Sequence, residues 1–295
     1  MQQSTGCESN TDPDVPATLI IVVYNTPELV LQCLAGFYPS LQTRGWQVVV
    51  VDNGSDVDIR PIVQGKFNGV EVIRSEQNRG FSGGNNLGLR VARGRCVILM
   101  NSDIIADAET LESLVASLQS ESTVGAMSPG LFTLRGAAQA FAFGSETSPR
   151  YLIQRGLRAV LGSGAMHDWS ARDPLEVGWV SAACLCVRRK VIEEIGVLDE
   201  RFPLYFEDTD WCLRMRAAGW KIIYNPHLKV THLGGASRPS GTADKSALYY
   251  RSLILFCEKH YGRAWGWGIR VLLVVYRILA AFRSSSGEKS GGNAH

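Results

Sequence analysis

The sequence lacks the cysteine pattern of a zinc-binding or disulfide-stapled protein. Its seven cysteines include no Cys-X-X-Cys pair. Cys96, Cys184 and Cys186 lie inside apolar runs, where a thiol packs as a small hydrophobic group. An odd number of cysteines without finger spacing argues against a disulfide framework and against zinc, and it favours a reducing compartment.

Two further absences concern membranes and export. No stretch reaches about 18 uncharged apolar residues, which is the length that a membrane-spanning helix needs. Met1–Pro16 is polar and has no hydrophobic core, so we expect no signal peptide and a disordered tail over residues 1–16. A second disordered tail is expected over residues 284–295. These features favour a cytoplasmic protein.

The charge is small overall but unevenly distributed. The net charge is +2, and 45% hydrophobic with 20% charged residues is ordinary for a globular protein. Residues 245–283, however, hold seven basic residues against the single acid Glu258, a net charge of +6. A basic C-terminal segment on a mildly acidic body suggests an anionic partner, which could be a membrane or a nucleic acid.

Apolar runs and helical periodicity alternate along residues 17–240. This alternation predicts an α/β domain with a parallel sheet and right-handed crossovers. Phe132–Pro174 is rich in Gly and Ser and predicts an irregular, mobile excursion on the substrate side. The predicted strands are Thr18–Tyr24, Gln47–Val51, Val70–Arg74, Cys96–Met100 and Lys221–Tyr224. Regular structure is also predicted over Val177–Val187. The predicted helices are Gly83–Arg93, a helix that Asp107 caps, and Glu207–Ala218.

Two aspartates follow predicted strands, at the sheet edge where open α/β folds bind ligands. Asp52 could accept a hydrogen bond from the imide N–H of uracil or thymine, although Asp52-Asn53-Gly54 can equally be only a turn. Asp103 could hold a divalent metal, and its alternative is a helix-capping or turn residue.

An acidic cluster and a histidine complete the candidate chemistry. Glu207 and Asp208 follow the apolar stretch Phe202–Phe206, which predicts carboxyl groups in a partly dry cleft, where a raised pKa suits a general base. Asp210 is better explained as the helical ion-pair partner of Arg214. His232 could share a metal with a carboxylate, although a lone histidine is more often a packed core residue.

Residues 78–88 form a Gly-rich segment before a predicted helix, so their backbone N–H groups could face phosphate oxygens. The segment has neither the Gly-Lys-Ser/Thr of a phosphate-binding P-loop nor the position of a dinucleotide fingerprint. Its signal is therefore weak on its own.

Taken in order, these segments resemble glycosyltransferase family 2, and most closely its bacterial rhamnosyltransferase-like branch. The resemblance covers about Thr18 to Gly235. It is carried by Val22-Val-Tyr-Asn25, Val51-Asp-Asn-Gly-Ser55, Asn78-Arg-Gly-Phe81 with Asn86-Leu-Gly88, Asn101-Ser-Asp103 and Phe206-Glu-Asp-Thr-Asp210.

The resemblance implies a GT-A fold, a Rossmann-like nucleotide-diphospho-sugar transferase fold, here with a C-terminal helical extension. It implies an inverting, metal-dependent transferase with Asp208 as base beside Glu207, and with Mg²⁺ or Mn²⁺ on Asp103 and His232. The donor would be a nucleoside diphosphate sugar, most closely dTDP-rhamnose, with UDP-galactofuranose, UDP-GlcNAc and UDP-glucose as alternatives. The nucleotide-sugar set is Tyr24, Asn25, Asp52, Asn78, Gly80, Asn86, Asn101 and Ser102, and the acceptor side is Trp179, Ser181 and Ala182.

Two positions depart from the family pattern. Asn101 replaces the first aspartate of the metal motif, which leaves one carboxylate fewer, and Ala182 stands where relatives carry glycine, which leaves the acceptor pocket open. A sugar-1-phosphate nucleotidyltransferase would need a basic Gly-rich loop after the first strand, where Asn25-Thr26-Pro27 stands. A non-catalytic sugar-nucleotide-binding module remains a further alternative, which an activity assay decides.

The C-terminal segment, residues 241–283, predicts amphipathic helices. Arg263, Arg270 and Arg277 recur every seven residues and so share one helical face. Arginines on an apolar helix favour a position in the lipid headgroup region over a fully inserted span. The alternative is that the helix packs on the catalytic domain. We therefore expect a peripheral enzyme on the inner face of the membrane, with a glycan or lipid-linked acceptor and no nucleic-acid partner.

Overall fold

The computed structural model describes residues 12, 14–161, 168–202, 204–234 and 245–274. Its contacts divide the chain into two compact units, one of Met1–Glu146 with His167–Ala243 and one of Thr147–Met166 with Asp244–His295. The first unit carries a nine-stranded sheet and a small two-stranded sheet. The second unit carries helices from two separate parts of the chain.

The strands are β1 (Ala17–Val23), β2 (Gln47–Asp52), β3 (Glu71–Arg74), β4 (Cys96–Asn101), β5 (Ile104–Ile105), β6 (Val124–Phe132), β7 (Phe143–Gly144), β8 (Leu175–Glu176), β9 (Trp179–Val180), β10 (Cys184–Arg188) and β11 (Lys221–His232). The helices are α1 (Pro27–Ala35), α2 (Tyr38–Thr43), α3 (Arg60–Lys66), α4 (Gly80–Val91), α5 (Ala108–Ser120), α6 (Pro149–Leu161), α7 (Arg189–Ile195), α8 (Glu207–Ala217) and α9 (Lys245–Tyr261).

The large sheet has the order β3-β2-β1-β4-β10-β6-β11-β5, and β8 also pairs with β11. Strands β3, β2, β1 and β4 are parallel, as the sequence predicted. The prediction of a wholly parallel sheet is wrong, because β10 runs antiparallel to both β4 and β6. The sheet is mixed because β10 enters between two strands that run the same way.

The apolar runs form the core that the sequence predicted. Strands β1, β2 and β4 are buried along nearly their whole length, which is typical of strands covered on both faces. Helix α5 begins where Asp107 accepts a hydrogen bond from Thr110 N at 2.7 Å. Its buried side chains are Ala108, Leu111, Leu114, Val115 and Leu118.

The prediction of an irregular excursion over Phe132–Pro174 needs correction. The structure contains helix α6 at Pro149–Leu161 and strand β7 at Phe143–Gly144. Proline at the first helical position fits a helix start, and Gly156 within α6 does not break it. Glycine and serine on both sides of α6 concealed its helical character in the sequence.

The C-terminal part of the second unit is helical, as predicted, as far as the structure describes it. Helix α9 is followed by a further helical stretch over residues 263–274. Among the described residues, no helix is both long enough and apolar enough to cross a membrane. Arg277, the predicted tail over residues 284–295 and most of the predicted tail over residues 1–16 lie outside the described residues.

Candidate active site

Three parallel strands end side by side at the edge of the sheet that the sequence predicted as the ligand site. Val23 at the end of β1 is in register with Asp52 at the end of β2. Val22 is likewise in register with Asn101 at the end of β4. Tyr24 and Asn25, Asp52, and Asn101 with Ser102 and Asp103 therefore lie along one edge.

Asp103 and His232 come together at this edge because of one short strand pair. Strand β5 pairs antiparallel with β11 and sets Ile104 opposite His232, and Leu233 N donates to Asp103 O at 2.9 Å. His232 Nε2 lies 3.1 Å from Asp103 Oδ1. Asp103 is almost completely buried, at 1% exposure.

The second ring nitrogen of His232 is also held. His232 Nδ1 lies 2.8 Å from Gln139 Oε1. An amide oxygen can only accept a hydrogen bond, so Nδ1 carries the proton in this contact. In the neutral ring, Nε2 then keeps its lone pair and faces the Asp103 carboxylate.

This donor set fits a divalent metal ion. A carboxylate oxygen and an imidazole nitrogen lie 3.1 Å apart, and both are donor types that one such ion accepts. No group of three or more His, Cys, Asp or Glu side chains that could hold a metal occurs among the residues that the structure describes. A metal bound here would complete its coordination with substrate or water oxygens.

Asp208 lies at the start of α8, after two strained residues. Tyr205 and Phe206 both have φ of 67°, a left-handed conformation that bulky residues seldom adopt. Such strain persists where the surrounding structure enforces it, and it often marks functional sites. Nothing in the sequence signalled it.

The Asp208 carboxylate is half-buried and has backbone donors on both oxygens. Oδ1 accepts from Thr209 N at 2.7 Å, and Oδ2 accepts from Ala182 N at 3.3 Å. Burial raises the pKa of Asp208, while the hydrogen bonds from Thr209 and Ala182 oppose that rise. A carboxylate with a raised pKa that is still held in its charged form suits proton abstraction.

Glu207 has a different environment. It is 6% exposed, and its Oε2 has no hydrogen-bond partner among the described residues. Burial, and then the charge of Asp208, raise the pKa of Glu207 to about 8. Near neutral pH, Glu207 is therefore mainly protonated.

The predicted acceptor-side residues occupy one short segment that leads to Asp208. Trp179 belongs to β9, which pairs with β7. Ser181 N donates to Ala142 O at 2.9 Å, and Ser181 Oγ accepts from Ala183 N at 3.2 Å. The backbone of Ala182 is thus fixed on both sides of the amide that contacts Asp208.

Asp52 is wholly buried, and its carboxylate is engaged within the protein. Oδ1 accepts from Ser55 N at 2.9 Å, and Oδ2 forms an ion pair with Arg74. Arg74 also donates to Ser55 O at 2.8 Å. Asp52 therefore holds the loop after β2, and no observation here tests its predicted contact with a base.

Asparagines join the loops of the nucleotide side. Asn25, with φ of 54°, donates from Nδ2 to Asp56 Oδ2 at 3.1 Å. Asn53 Nδ2 donates to Asn78 Oδ1 at 3.1 Å and to Gly80 O at 3.0 Å. Sequence reasoning missed Asn53, because an asparagine before glycine is read as a turn residue.

Asn86 lies deeper than a ligand contact would require. It is 2% exposed, its Nδ2 donates to Leu198 O and to Glu200 Oε1, each at 2.9 Å, and its Oδ1 accepts from Leu198 N at 3.1 Å. The amide thus ties α4 to the segment that precedes α8. Its predicted role in nucleotide binding stays a prediction.

Part of the chain matches the model of a known protein family. Residues 18–131 match the family model described as Glycosyl transferase family 2. A curated relative from Mycobacterium tuberculosis, N-acetylglucosaminyl-diphospho-decaprenol L-rhamnosyltransferase, is 30% identical over 176 residues, which is 56% of each chain. The dTDP-rhamnosyl transferase RfbF of Shigella flexneri is 23% identical over 219 residues, covering 73% of this chain and 68% of that protein.

A solved structure shows the fold. The mannosyltransferase PcManGT from Pyrobaculum calidifontis, in complex with GDP-Man and Mn²⁺, has a TM-score of 0.57 at 17% identity, covering 95% of this chain and 81% of that one. At this identity the similarity concerns the fold alone. The GT-A fold expected from the sequence is thereby confirmed.

Proposed function

We propose that the protein transfers a sugar from a nucleoside diphosphate donor to a hydroxyl group of a glycan, because residues 18–131 match the model of glycosyl transferase family 2. The observation that carries the proposal is the half-buried Asp208 carboxylate, held by the Ala182 amide at 3.3 Å. The chain spans 56% of the length of the Mycobacterium relative. The reaction is therefore argued from the site as well as from that relative.

Asp208 acts as the general base. Its carboxylate takes the proton from the acceptor hydroxyl while that oxygen forms a bond to the anomeric carbon, and the bond from this carbon to the diphosphate breaks on the opposite face. One displacement of this kind inverts the anomeric configuration without a covalent sugar–enzyme intermediate. The neighbouring Glu207, with a pKa of about 8, is mainly neutral near pH 7 and so does not compete for the proton.

Asp103 and His232 would hold Mg²⁺ or Mn²⁺. A nitrogen donor beside a carboxylate favours Mn²⁺ over Mg²⁺, which prefers oxygen ligands. When bound, the ion neutralises charge on the diphosphate leaving group. The two side chains bring the leaving group to the same edge as the ends of β1, β2 and β4.

The nucleotide lies along that edge in this proposal. Asp52 and Arg74 hold the loop after β2. Asn53, which begins this loop, joins it to Asn78 and Gly80 through hydrogen bonds from Nδ2. Tyr24, Asn25, Asn101 and Ser102 lie at the ends of the neighbouring strands β1 and β4. In this proposal Asp52 reads the base in addition to holding the loop.

The donor proposed is dTDP-rhamnose, because two relatives carry rhamnosyl transfer in their names. The acceptor proposed is a glycan on a lipid carrier, in the synthesis of a cell-surface polysaccharide, because the name of the Mycobacterium relative includes a diphospho-decaprenol. UDP-galactofuranose, UDP-GlcNAc and UDP-glucose are the competing donors. Such an acceptor favours a cytoplasmic enzyme that binds peripherally to the inner face of the membrane.

A donor screen tests this function. Purified protein would be incubated with each of the four donors and Mn²⁺, and release of the nucleoside diphosphate would be measured with and without chelator. We expect release from dTDP-rhamnose that stops with chelator and returns with Mn²⁺ or Mg²⁺. Tight donor binding with no release in any arm, including arms supplied with lipid-linked acceptor, would instead indicate a non-catalytic binding protein.

A further inference from the structure

Gln139 has no place in the predicted site, yet it contacts one of its central side chains. Its Oε1 lies 2.8 Å from His232 Nδ1, on the side of the ring opposite Asp103. Glutamine in a Gly- and Ser-rich stretch carries no signal in the sequence. The contact depends on the pairing of β6 with β11, which the sequence does not reveal.

The backbone fixes the position of Gln139. After β6, the chain turns back on itself, with a bridge between Phe132 and Ala138, and Gln139 N donates to Leu131 O at 2.9 Å. Phe132 is also in register with Thr231 of β11. The hairpin that carries Gln139 is therefore anchored beside the strand end that carries His232.

The chemistry of the contact has one direction. The side-chain oxygen of Gln139 accepts, so His232 Nδ1 donates, and Nε2 is left as the nitrogen that faces Asp103 at 3.1 Å. Histidines that bind metals generally donate their other N–H to an oxygen, which fixes the tautomer and the ring orientation. Gln139 stands in that position for His232.

We propose that Gln139 is the positioning residue of His232: its Oε1 accepts the hydrogen bond from Nδ1 and so turns Nε2 toward Asp103 as the nitrogen that a metal would contact. The effect of Gln139 on metal binding depends on the proposed metal site at Asp103 and His232. The tautomer itself is a property of the metal-free protein and is measured separately.

Two substitutions distinguish the hydrogen bond that Gln139 accepts from the space that its side chain fills. Gln139→Met keeps the length of the side chain but removes the acceptor. Gln139→Glu keeps an acceptor oxygen and has no amide N–H that could donate instead. Gln64→Met on α3 is the matched control, because among the described residues its Nε2 makes one long contact, 3.4 Å from Val70 O, at the other end of the sheet.

The first measurement is ¹⁵N NMR of the histidine rings in metal-free protein at alkaline pH, with the His232 signals assigned by their loss in His232→Ala. We expect wild type and Gln139→Glu to show a protonated Nδ1. Gln139→Met should lose that proton in part, because no acceptor then faces Nδ1. A wild-type Nδ1 without a proton, or an unchanged spectrum in Gln139→Met, would overturn the inference.

The second measurement is titration with Mn²⁺ alone, followed by the paramagnetic resonance of free Mn²⁺. We expect Gln139→Met to bind Mn²⁺ about 10–100-fold more weakly, the usual effect of losing such a partner, while Gln139→Glu and Gln64→Met bind it like wild type. Wild-type affinity in Gln139→Met would contradict the inference. If Asp103→Ala and His232→Ala also bound Mn²⁺ like wild type, the proposed metal site would be wrong, and the NMR spectra alone would decide the role of Gln139.

Discussion

The amide nitrogen of Ala182 lies 3.3 Å from Oδ2 of Asp208 and donates a hydrogen bond to it. The next residue, Ala183, accepts a hydrogen bond through its carbonyl from Asn101 N at 2.9 Å. The proposed base is therefore connected through two residues of backbone to the end of β4, where Asp103 follows. Because the connection uses backbone groups, the identity of the side chain at position 182 is not what holds Asp208.

The first prediction concerns the base. Asp208→Asn keeps the shape of the side chain but removes its proton affinity, so we expect turnover to fall by about 10²–10⁴-fold, the usual scale for loss of a general base. Donor binding should remain close to wild type. Steady-state turnover and calorimetric binding of the donor, measured on the same preparation, check both parts.

Glu207→Gln is the matched comparison for that experiment. If Asp208 is the base, Glu207→Gln should retain far more turnover than Asp208→Asn. The reverse order would assign the proton transfer to Glu207. Near-wild-type turnover in both variants would refute the proposed mechanism.

The second prediction concerns stability against pH. The carboxyl of Glu207 has an ordinary pKa of 4.5 and a pKa of about 8 in the folded protein. Between these values the folded state binds more protons than the unfolded state, so the free energy of unfolding falls as pH rises through this window. Glu207→Gln, which cannot ionise, should lose less stability between about pH 5 and about pH 9, by on the order of a few kcal/mol.

Chemical denaturation at several pH values measures this difference. Glu76→Gln, an exposed change of the same chemistry, is the control and should follow wild type. Asp208→Asn should lower the pKa of Glu207 and so narrow the pH range over which stability falls, because the charge of Asp208 is the second cause of the raised pKa of Glu207. Parallel curves for wild type and Glu207→Gln would show that Glu207 titrates normally.

The half of the fold that contains β1 to β4 was predictable because its sequence signals are local. The buried runs at β1, β2 and β4 are continuous and apolar, and the ends of the observed strands differ from the predicted ends by at most one residue. Alternation with helices then implies parallel order. The ion pair from Arg214 Nε to Asp210 Oδ2, at 3.0 Å, likewise followed from helical spacing alone.

The other half was predictable only in part, because two of its strands contain residues that normally end strands. Strand β6 includes Pro129 and Gly130, and β11 continues past Pro226 to His232. The two strands pair with each other, and the register shift between Asn225 and Lys229 accommodates the irregularity. Proline is accepted in strands at bulges of this kind, but the pairing that allows it is not local information.

The candidate site, like the fold, was predictable only in part. Asp103, Asp208 and His232 were proposed from residue type and from the family resemblance. The contacts that orient them, from Gln139 and from the Ala182 amide, depend on which strands become neighbours. A sequence read without an alignment does not contain that information.

The third prediction concerns Asp52. Asp52→Ala leaves Arg74 half-buried without its partner and frees Ser55 N, so we expect the free energy of unfolding to fall by about 2–3 kcal/mol. Binding of dTDP or UDP should weaken by about 1.5–3 kcal/mol if a charge-assisted hydrogen bond to the base is also lost. Asp58→Ala, whose carboxylate lies 3.9 Å from Arg74 on the exposed side, is the control and should have a smaller effect on both.

Competition between nucleotides separates the two roles of Asp52. If Asp52 reads the base, the variant should lose its preference for pyrimidine over purine diphosphates. If it only holds the loop, both classes should weaken equally. Purine diphosphates that displaced the donor from wild type as well as UDP or dTDP would count against base reading by Asp52.

The last prediction concerns the helical stretch over residues 263–274. Its inner side is packed: a side chain at Gly266 would meet Glu258 Cγ at 2.1 Å, and Ile269 is buried. Arg270 is held at 2.6 Å by Glu258, so the predicted row of arginines is partly engaged within the protein. Trp267, Val271 and Val274, at spacings of four and three residues, are exposed and form one face of the helix.

An exposed apolar face with tryptophan beside an exposed arginine, Arg263, suits the headgroup region of an anionic bilayer. We expect full-length protein to co-sediment with vesicles of phosphatidylglycerol and phosphatidylcholine, and high salt to reduce the bound fraction. Trp267→Ser with Val271→Ser should release most of the bound protein without unfolding it, because both side chains are exposed. Leu134→Ser is the control, since Leu134 at 72% exposure matches Trp267 at 68% but belongs to the first unit. Equal binding of the double variant and of wild type would show that this face does not bind lipid, and the transferase proposal would be unaffected.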